Sequence, residues 1–377
     1  MGVILGKIVL TGGPCAGKTT ALARIEENLT ELGYKVFIVG ESATEIIKGG
    51  IKPFGNKPID LVKFQELIIT YQLSKEKIYD EAALSLPEEE KCVIVYDRGV
   101  MDNKAYVKDN EFKEILKKLN LDELELIDSY DMVVHLVTAA DGKEEYYTLE
   151  NNAARTETIE EAKALDKKTA NAWIGHNNLV IIDNQYDFKD KMTAVLDNIN
   201  NLLKNPISIR KQRKFIVDLD KSNLSFINNN EMIKIDIEQT YLIDKDLSDS
   251  YEKRLRKKSY NGCNTYYITL QKKGENGLSK IITDKKISEK EYNKLMSMYD
   301  EKYTINKTRY SFIKNKQYFK LDIFENNISI LEINPTKENK KISIPKNLSV
   351  VKEITNDVEY QNFKMAVHND NKRYILN

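Results

Sequence analysis

The sequence predicts an α/β domain, with a mostly parallel sheet covered by helices on both faces, followed by an antiparallel β domain of the barrel or tunnel type. Three observations predict this arrangement. A glycine-rich loop joins an apolar strand to a helix near the N-terminus, strands and helices alternate up to residue 203, and short alternating strands dominate from Ile207 onward. The 377 residues suffice for two domains, which we place at 1–203 and 206–377, divided at Asn205-Pro206.

Composition excludes several classes of protein. Lys+Arg and Asp+Glu both number 58, so the global charge gives no signal for nucleic acid or a membrane surface. The three cysteines lie far apart in the sequence, which argues against a disulfide framework or a zinc site. The sequence shows neither an apolar run of membrane-spanning length nor a signal peptide, so we expect a cytoplasmic protein without a transmembrane segment.

The first strand and the loop after it carry the clearest motif. Lys7–Thr11 is apolar and β-branched, and the following residues match G-x-x-x-x-G-K-[ST] before a helix begins near Thr20. A strand, a glycine loop and a helix in this order predict a phosphate-binding P-loop, because backbone N–H groups and the helix N-terminus attract anions. Lys18 would reach the β and γ phosphates of ATP or GTP, and the Thr19 hydroxyl would bind Mg²⁺. The predicted nucleotide-binding residues are Gly12, Gly13, Gly17, Lys18, Thr19, Thr20 and Asn184.

The other elements of the first domain follow from apolar runs and helical periodicity. Further strands are predicted at 36–39, 93–96, 132–137 and 179–182, with helices near 19–32, 60–84, 111–127, 159–173 and 187–203. Ligands of such sheets lie at the carboxyl ends of the strands, so the informative residues are those directly after each strand.

Charged residues follow the second and third strands. Glu41 is either a substrate-side carboxylate acting as general base or a helix N-cap. Asp97 is a Walker B candidate that would hold Mg²⁺ together with Thr19, and Arg98 would hold an acceptor phosphoryl group or developing charge. The alternative for this pair is a helix cap followed by a surface arginine.

The segment between the fourth and fifth strands is rich in basic residues, at the place where P-loop kinases have a mobile lid. The stretch Thr156-Glu157-Thr158, followed by Glu160 and Glu161, predicts a capped helix start, and Arg155, just outside it, is the predicted lid arginine. The other charges are predicted to form a solvated helix face. After the fifth strand, the stretch 183–186, with Asn184, is predicted to recognise the base.

The second domain shows alternating basic residues. Its strands are predicted at 213–217, 233–242, 252–257, 266–271, 303–312, 318–324 and 328–333, with one helix near 288–299. Period-two spacing places Arg254 with Arg256, and Lys307 with Arg309, on one face of a strand. Such pairs would either line a tunnel that binds polyanions or cover a solvated outer face, and spacing alone does not separate the two.

Both halves resemble known families. GGPCAGKTT, YDRGVMDNKAY, DGKEEYYTLENNAARTETIEEAKALD and NAWIGHNNLVIIDN resemble P-loop kinases related to ribosylnicotinamide kinases. QTYL, KRLRKK, YYITLQKK, INKTRYSF, YFKLDIF and ILEI resemble, in order, a CYTH or triphosphate tunnel domain. The combination is similar to the TRPL translocation defect protein family. That resemblance implies binding of ATP or GTP and, for its animal member, of phosphoinositide.

One departure from the CYTH pattern matters. Those enzymes open with E-x-E-x-K, whose glutamates help to hold catalytic metal, whereas Arg210 and Gln212 stand in these places here and only Lys214 is kept. The carboxylates that remain are Glu238, Asp322, Glu332 and Glu353, of which the first three are the candidate metal ligands, and the candidate anion-binding cations are Lys214, Arg254, Arg256, Lys307 and Arg309. We therefore expect a basic tunnel that binds a phosphorylated small molecule or polyphosphate but hydrolyses it poorly.

Three hypotheses for function follow. The first is a Mg²⁺-dependent P-loop phosphotransferase or NTPase, with Lys18, Asp97, Arg98, Arg155 and Glu41 as catalytic residues. The second is a non-enzymatic, nucleotide-dependent switch whose second domain binds phosphoinositide or a similar ligand. The third is a triphosphatase active in the tunnel.

Overall fold

The chain divides into two compact units, Met1–Leu203 and Lys204–Asn377. The structure is a computed structural model that describes residues 2–147, 158–185, 187–204, 212–224, 231–243, 251–273, 279–335 and 342–375. Arg155, Tyr186, Arg210 and the predicted division at Asn205-Pro206 lie outside these residues. Within the described ranges, no helix combines the length and the apolar character needed to cross a bilayer.

The first unit is built on a five-stranded parallel sheet with the strand order β2-β3-β1-β4-β5. Its elements are β1 (Val3–Gly12), α1 (Lys18–Glu31), β2 (Lys35–Val39), α2 (Ser42–Lys48), α3 (Leu61–Leu84), β3 (Lys91–Asp97), a 3₁₀ helix (Val100–Tyr106), α4 (Asp109–Leu119), α5 (Glu123–Ile127), β4 (Met132–Leu136), a 3₁₀ turn (Glu144–Tyr146), α6 (Ile159–Ala172), β5 (Leu179–Ile182) and α7 (Phe188–Lys204). The predicted parallel α/β sheet is confirmed.

The core of this unit explains why the strands are apolar on both sides. Ile8 and Leu10 of β1 pack with Ile25 of α1 and with Val195 and Ile199 of α7. On the opposite face of β1, the Thr11 hydroxyl donates to Asp102 of the 3₁₀ helix (2.5 Å), so this element and α3 and α6 cover the other side. Helices on both faces bury most of β1 and β3 and all of β4 and β5, which is typical of parallel sheets.

Local chemistry also accounts for one difference from the prediction. The single helix predicted near 111–127 is two helices, α4 and α5. Asn120 adopts a left-handed conformation (φ 53°) at the end of α4, and the Asp122 carboxylate caps the N-terminus of α5. The capped helix start predicted at 156–158 is observed at Thr158, which forms a capping box with Glu161 at the start of α6.

The second unit is one nine-stranded antiparallel sheet with the order β10-β9-β8-β7-β11-β12-β13-β6-β14. Its elements are β6 (Arg213–Asp218), β7 (Met232–Leu242), β8 (Tyr251–Tyr260), β9 (Cys263–Lys273), β10 (Ser279–Ile287), α8 (Glu289–Met298), β11 (Lys302–Lys314), β12 (Gln317–Phe324), β13 (Ser329–Ile333), β14 (Ser349–Glu353), a 3₁₀ turn (Val358–Tyr360) and α9 (Asn362–Ile375). The antiparallel sheet is confirmed. In the described part of the chain β10 and β14 are its two edges, and closure into a barrel is not shown.

Strand register divides this sheet into two faces. One face carries apolar clusters that include Phe312, Phe319 and Leu331 near its centre and Leu255 with Tyr292 beside α8. Directly paired residues of antiparallel strands share a face. Registers from β8 to β6 therefore place Lys214, Arg254, Arg256, Lys307, Arg309, Asp322 and Glu332 together on the other face. We call this the cationic face.

Candidate functional site

The phosphate loop links β1 to α1 and needs glycine at particular positions. Gly12 has a φ of 144°, and a Cβ at this residue would lie 2.1 Å from the Leu136 carbonyl oxygen. Gly17 has a φ of 89° and is the N-cap of α1. The Lys18 ammonium donates hydrogen bonds to the carbonyl oxygens of Gly12 (3.2 Å) and Gly13 (3.3 Å), so the loop is closed around its own lysine. This arrangement presents the N-terminus of α1 to an anion.

A buried carboxylate fixes the loop from the side of α6. Asp166 accepts hydrogen bonds from the backbone N–H groups of Gly13 (2.7 Å) and Thr138 (3.1 Å), and the His135 ring lies 3.3 Å away. A Cβ on Gly13 would lie 2.7 Å from the Asp166 carboxylate, so this glycine is required by close approach. The Thr138 hydroxyl also donates to the Pro14 carbonyl oxygen. The end of β4 and the middle of α6 therefore hold the loop in place.

The lysine of the loop has an unusual environment. Burial, followed by the nearby Arg98 guanidinium, lowers the pKa of Lys18 to about 8, although Asp97 and Glu41 act in the opposite direction. Phosphate oxygens placed against this ammonium would favour its charged form and raise the pKa again. Thr19 and Thr20, which follow it, are exposed at the start of α1.

Asp97 ends β3 beside the strand that leads into the loop, because β1 and β3 pair with Leu10 opposite Asp97. Its Oδ1 atom is buried and has no hydrogen-bond partner among the described residues. Burial raises the pKa of Asp97, and Lys18 only partly offsets this effect. An unpartnered carboxylate oxygen and the exposed Thr19 hydroxyl are hard oxygen donors, the kind of ligand that Mg²⁺ prefers. The residues present therefore fit a magnesium ion.

Glu41 and Arg98 form an ion pair between the ends of β2 and β3. Arg98 Nε lies 2.6 Å from Glu41 Oε1, and Thr44 Oγ1 donates to the other carboxylate oxygen at 2.6 Å. Glu41 occupies the N-cap position of α2 without capping it, since its side chain makes no hydrogen bond to the helix backbone. Burial would raise the pKa of Glu41, but Arg98, Thr44 and Lys18 together hold it below its ordinary value. Glu41 is thus an ionised acceptor beside the phosphate loop.

Arg98 is a partly buried residue in an uncommon conformation. Its side chain is 15% exposed, which differs from the surface arginine of the alternative interpretation. Its backbone is left-handed (φ 71°), a region that non-glycine residues rarely adopt. The NH1 group is buried and unpartnered in the part of the chain that the structure describes. A buried guanidinium nitrogen with an unused donor can bind an oxygen of a ligand.

Asn184 is engaged within the protein. Its amide nitrogen donates to the carbonyl oxygens of Thr138 (2.7 Å) and Asp141 (3.0 Å), and its oxygen accepts from the Lys191 ammonium (2.8 Å). The side chain therefore joins the ends of β4 and β5. The side chain that lies beside the phosphate loop is that of Phe188, which is 48% exposed. A Cβ on Gly17 would meet the Phe188 ring at 2.8 Å.

Sequence reasoning gave no role to two of the residues that organise this site. Asp102 accepts from Thr11 Oγ1 (2.5 Å), from the Gly99 N–H (2.9 Å) and from Trp173 Nε1 (3.1 Å), which ties β1, the 3₁₀ helix and the end of α6 together. Its position three residues after Gly99 is the only local signal. Asp166 has no local signal, because its partner Gly13 lies 153 residues away in the chain.

The predicted cations of the second unit form two groups on the cationic face. In the first group, Asp322 binds both Lys307 (2.5 Å) and Arg309 (2.6 Å), while Glu332 binds Arg309 and Lys214 at 3.3 Å each. Gln212 also donates to Glu332 at 2.8 Å. Burial acts to raise the pKa of Asp322, but Arg309 and Lys307 hold it well below its usual range. Three cations surround two carboxylates here.

The second group is less neutralised. Arg256 stacks over the Tyr267 ring (4.8 Å to its centroid), and its NH2 group lies 3.6 Å from Asp284, beyond hydrogen-bond distance. Arg254 lies opposite Tyr241 in the register. The Nε atoms of both arginines are buried, and neither has a hydrogen-bond partner in the described ranges.

Glu238 does not join either group. It lies opposite Lys257 and Asn306, on the side of the sheet away from the cationic face, and accepts a hydrogen bond from Tyr292 of α8 at 2.7 Å. Asp322 and Glu332 are paired with cations as described. Within the described residues, no group of three or more His, Cys, Asp or Glu side chains is arranged to hold a metal ion.

A parallel sheet with a glycine loop and a lysine at the start of α1 makes the first unit a P-loop NTPase-like domain. Residues 7–191 match the protein family AAA_28, described as an AAA domain. The Nucleoside-triphosphatase THEP1 of Methanocaldococcus jannaschii is 45% identical over 65 residues, which are 17% of this chain and 36% of that protein. The chain thus spans about a third of that relative's length. The structure of the PH1819 protein from Pyrococcus horikoshii OT3 covers 44% of this chain and 99% of its own, with 21% identity and a TM-score of 0.31.

Proposed function

We propose that the first unit binds ATP or GTP with Mg²⁺ and transfers the γ-phosphoryl group to a hydroxyl acceptor or to water. The observation that carries this proposal is the convergence of Lys18, Asp97, Glu41 and Arg98 at the carboxyl ends of three adjacent strands. Mg²⁺, when held by Thr19 and Asp97, would neutralise phosphate charge. Lys18 would bind phosphate oxygens, and Arg155 is proposed to act from the lid.

The pair Glu41–Arg98 favours an acceptor other than water. Glu41 is ionised, so it can accept the proton of an attacking hydroxyl group, and the unused NH1 donor of Arg98 can orient that acceptor. A mass-spectrometric screen of nucleosides, nucleotides and phosphorylated metabolites for ATP- or GTP-dependent products tests this. Phosphate release without any product would support NTP hydrolysis, and nucleotide binding without turnover would support the switch.

Glu41→Gln is expected to lower kcat about tenfold while the nucleotide Kd stays unchanged. The loose transition state of phosphoryl transfer needs little help from a base, so the main loss is orientation of the acceptor by the pair with Arg98. Steady-state kinetics and calorimetric titration measure the two quantities. Glu114→Gln on the exposed face of α4 is the matched control. An unchanged kcat in Glu41→Gln would remove Glu41 from the acceptor site.

For the second unit we propose binding of a phosphorylated ligand at the cationic face. This rests on the incompletely neutralised cations, above all Arg254 and Arg256 with their unpartnered Nε donors. In a shielded environment a guanidinium binds phosphate oxygens strongly. A free polyphosphate and a phosphoinositide headgroup share this chemistry. Triphosphate hydrolysis remains the alternative, and it would require metal ligands beyond Asp322 and Glu332.

The Arg256→Ala variant is expected to bind tripolyphosphate about tenfold more weakly, because one charge-assisted contact of about 1.5 kcal/mol is lost. The full chain carrying Lys18→Ala serves as background, so that the phosphate loop does not contribute. Calorimetric titration at two salt concentrations measures affinity, and Lys290→Ala, an exposed residue of α8, is the control. Equal affinities for Arg256→Ala and Lys290→Ala would contradict binding at this face, whereas rapid Mn²⁺-dependent cleavage would favour the triphosphatase.

A further inference from the structure

Helix α3 carries a buried polar stripe that the proposed chemistry does not use. Gln72, Lys75 and Glu76 are 5%, 9% and 5% exposed, and their spacing of three and four residues places them on one side of the helix. Lysine and glutamate are almost never fully buried unless they have partners. The partners of this stripe therefore indicate its role.

Lys75 reaches the loop that carries Glu41. Its ammonium donates to the Gly40 carbonyl oxygen at 2.8 Å and binds Glu45 of α2 at 2.6 Å. Gly40 directly precedes Glu41, so Lys75 fixes the backbone from which the Glu41 side chain projects.

Gln72 and Glu76 reach the loop that carries Arg98. The Gln72 amide donates to the Arg98 carbonyl oxygen (3.2 Å) and to Glu76 (3.2 Å). Glu76 accepts from the Tyr130 hydroxyl at 2.8 Å, and that hydroxyl in turn accepts from the Val100 N–H at 3.1 Å. The Glu76 carboxylate thus acts on the backbone on both sides of Gly99, through Gln72 on the Arg98 carbonyl oxygen and through Tyr130 on the Val100 N–H.

We propose that Gln72, Lys75 and Glu76 are positioning residues that hold the Glu41 and Arg98 loops in register for the acceptor, with Glu76 acting through Gln72 and Tyr130. This inference rests on the proposed function of the first unit. The Arg98 loop depends on such support, since Arg98 keeps a left-handed conformation that a non-glycine residue adopts only when its surroundings impose it.

The position of Glu76 supports a functional role. Lys7 of β1, a cation that acts on Glu76, is already paired with Asp80 of α3 at 2.8 Å. Tyr96 of β3 and Tyr130 also face the carboxyl group. Burial raises the pKa of Glu76 to about 7, although Tyr130, Lys7 and Gln72 oppose this effect. A neutral side chain would be less costly to bury here, and only the ionised form gives Tyr130 and Gln72 charge-assisted hydrogen bonds.

The test uses Glu76→Gln in the full chain, since glutamine keeps the shape and the acceptor oxygen but not the charge. We expect kcat at pH 8 to fall about three- to tenfold with an unchanged nucleotide Kd, because charge-assisted hydrogen bonds become ordinary ones. In a plot of kcat against pH, the wild type should show activity that rises near pH 7 as Glu76 ionises. The variant should lack this rise. Tyr130→Phe should lower kcat similarly, and the double variant should be no worse than either single one.

Amide hydrogen exchange at pH 8 gives a second readout that does not depend on turnover. Residues 98–103 should exchange faster in Glu76→Gln than in the wild type, whereas Glu81→Gln, an exposed residue of the same helix, should leave them unchanged. Unchanged exchange in Glu76→Gln, or additive effects of Glu76→Gln and Tyr130→Phe, would overturn the inference. A different outcome would separate the two proposals. If Glu76→Gln exchanges faster but the wild type shows no turnover that depends on Lys18, the proposed reaction is rejected and the positioning role is retained.

Discussion

Replacing Lys18 by alanine is expected to weaken binding of ATP and GTP roughly 10- to 150-fold. The change removes the charge-assisted interaction of the lysine with phosphate, worth roughly 1.5–3 kcal/mol, and converts the loop into one that offers only backbone donors. Calorimetric titration of the folded variant measures the loss. Lys113→Ala, an exposed residue of α4, should bind nucleotide as the wild type does.

The pH dependence of binding gives this prediction a second measurement. Because the pKa of Lys18 in the free protein is about 8, the wild type should lose nucleotide affinity as the pH rises above that value. Binding should take up protons there, since phosphate stabilises the charged lysine. Lys18→Ala should show neither effect. Equal affinities of the wild type and Lys18→Ala at pH 7 would reject the phosphate-loop assignment.

Asp322→Asn is expected to destabilise the second unit by about 3–5 kcal/mol, the usual effect of breaking a buried ion pair. Asp322 is 0% exposed and is the shared partner of Lys307 and Arg309, whose side chains are 4% and 12% exposed. Asparagine preserves the volume but leaves these two cations without a full counter-charge. Chemical denaturation of the full chain, with hydrogen exchange to assign the transition to β11 and β12, measures the change.

The pH dependence of stability distinguishes the buried ion cluster of Asp322, Lys307 and Arg309 from a surface contact. The folded pKa of Asp322 lies below its ordinary value, so its contribution to stability is complete above about pH 4 and is lost as the pH falls through the folded value. The difference between the wild type and Asp322→Asn should therefore be constant from pH 5 to pH 8. Asp300→Asn, an exposed residue, should change stability by less than about 0.5 kcal/mol. A similarly small change in Asp322→Asn would show that the pair is not important for stability.

Tripolyphosphate links the stability of Asp322→Asn to the proposed ligand. If the cationic face binds phosphate, the anion should restore part of the lost stability, because it supplies negative charge near Lys307 and Arg309 and binds only the folded unit. If saturating tripolyphosphate restores none of the stability lost in Asp322→Asn, the ion cluster around Asp322 is structural and is not part of the ligand-binding site.

Sequence alone determined the features that depend on neighbouring residues. The phosphate loop is readable because its glycines, Lys18 and Thr19 lie within a few positions of each other, between a strand and a helix. The strands of the parallel sheet are readable from their apolar runs, and the shared face of Lys307 and Arg309 follows from period-two spacing. The edge strands β10 and β14 and the helix α9 were not predicted, because the two strands contain many charged or exposed residues and the helix is largely polar.

The tertiary structure decided which charges meet. Spacing did not show that Asp322 neutralises Lys307 and Arg309, since this depends on the register of β11 with β12. The pair Glu41–Arg98 joins residues 57 apart, and Glu76 reaches Tyr130 across 54 residues, distances at which the chain has no local pattern. Local signals arise from residues on one turn of a helix or on neighbouring positions of a strand. Partners of buried charges are instead set by the packing of distant elements, where the cost of an unpaired charge selects the arrangement.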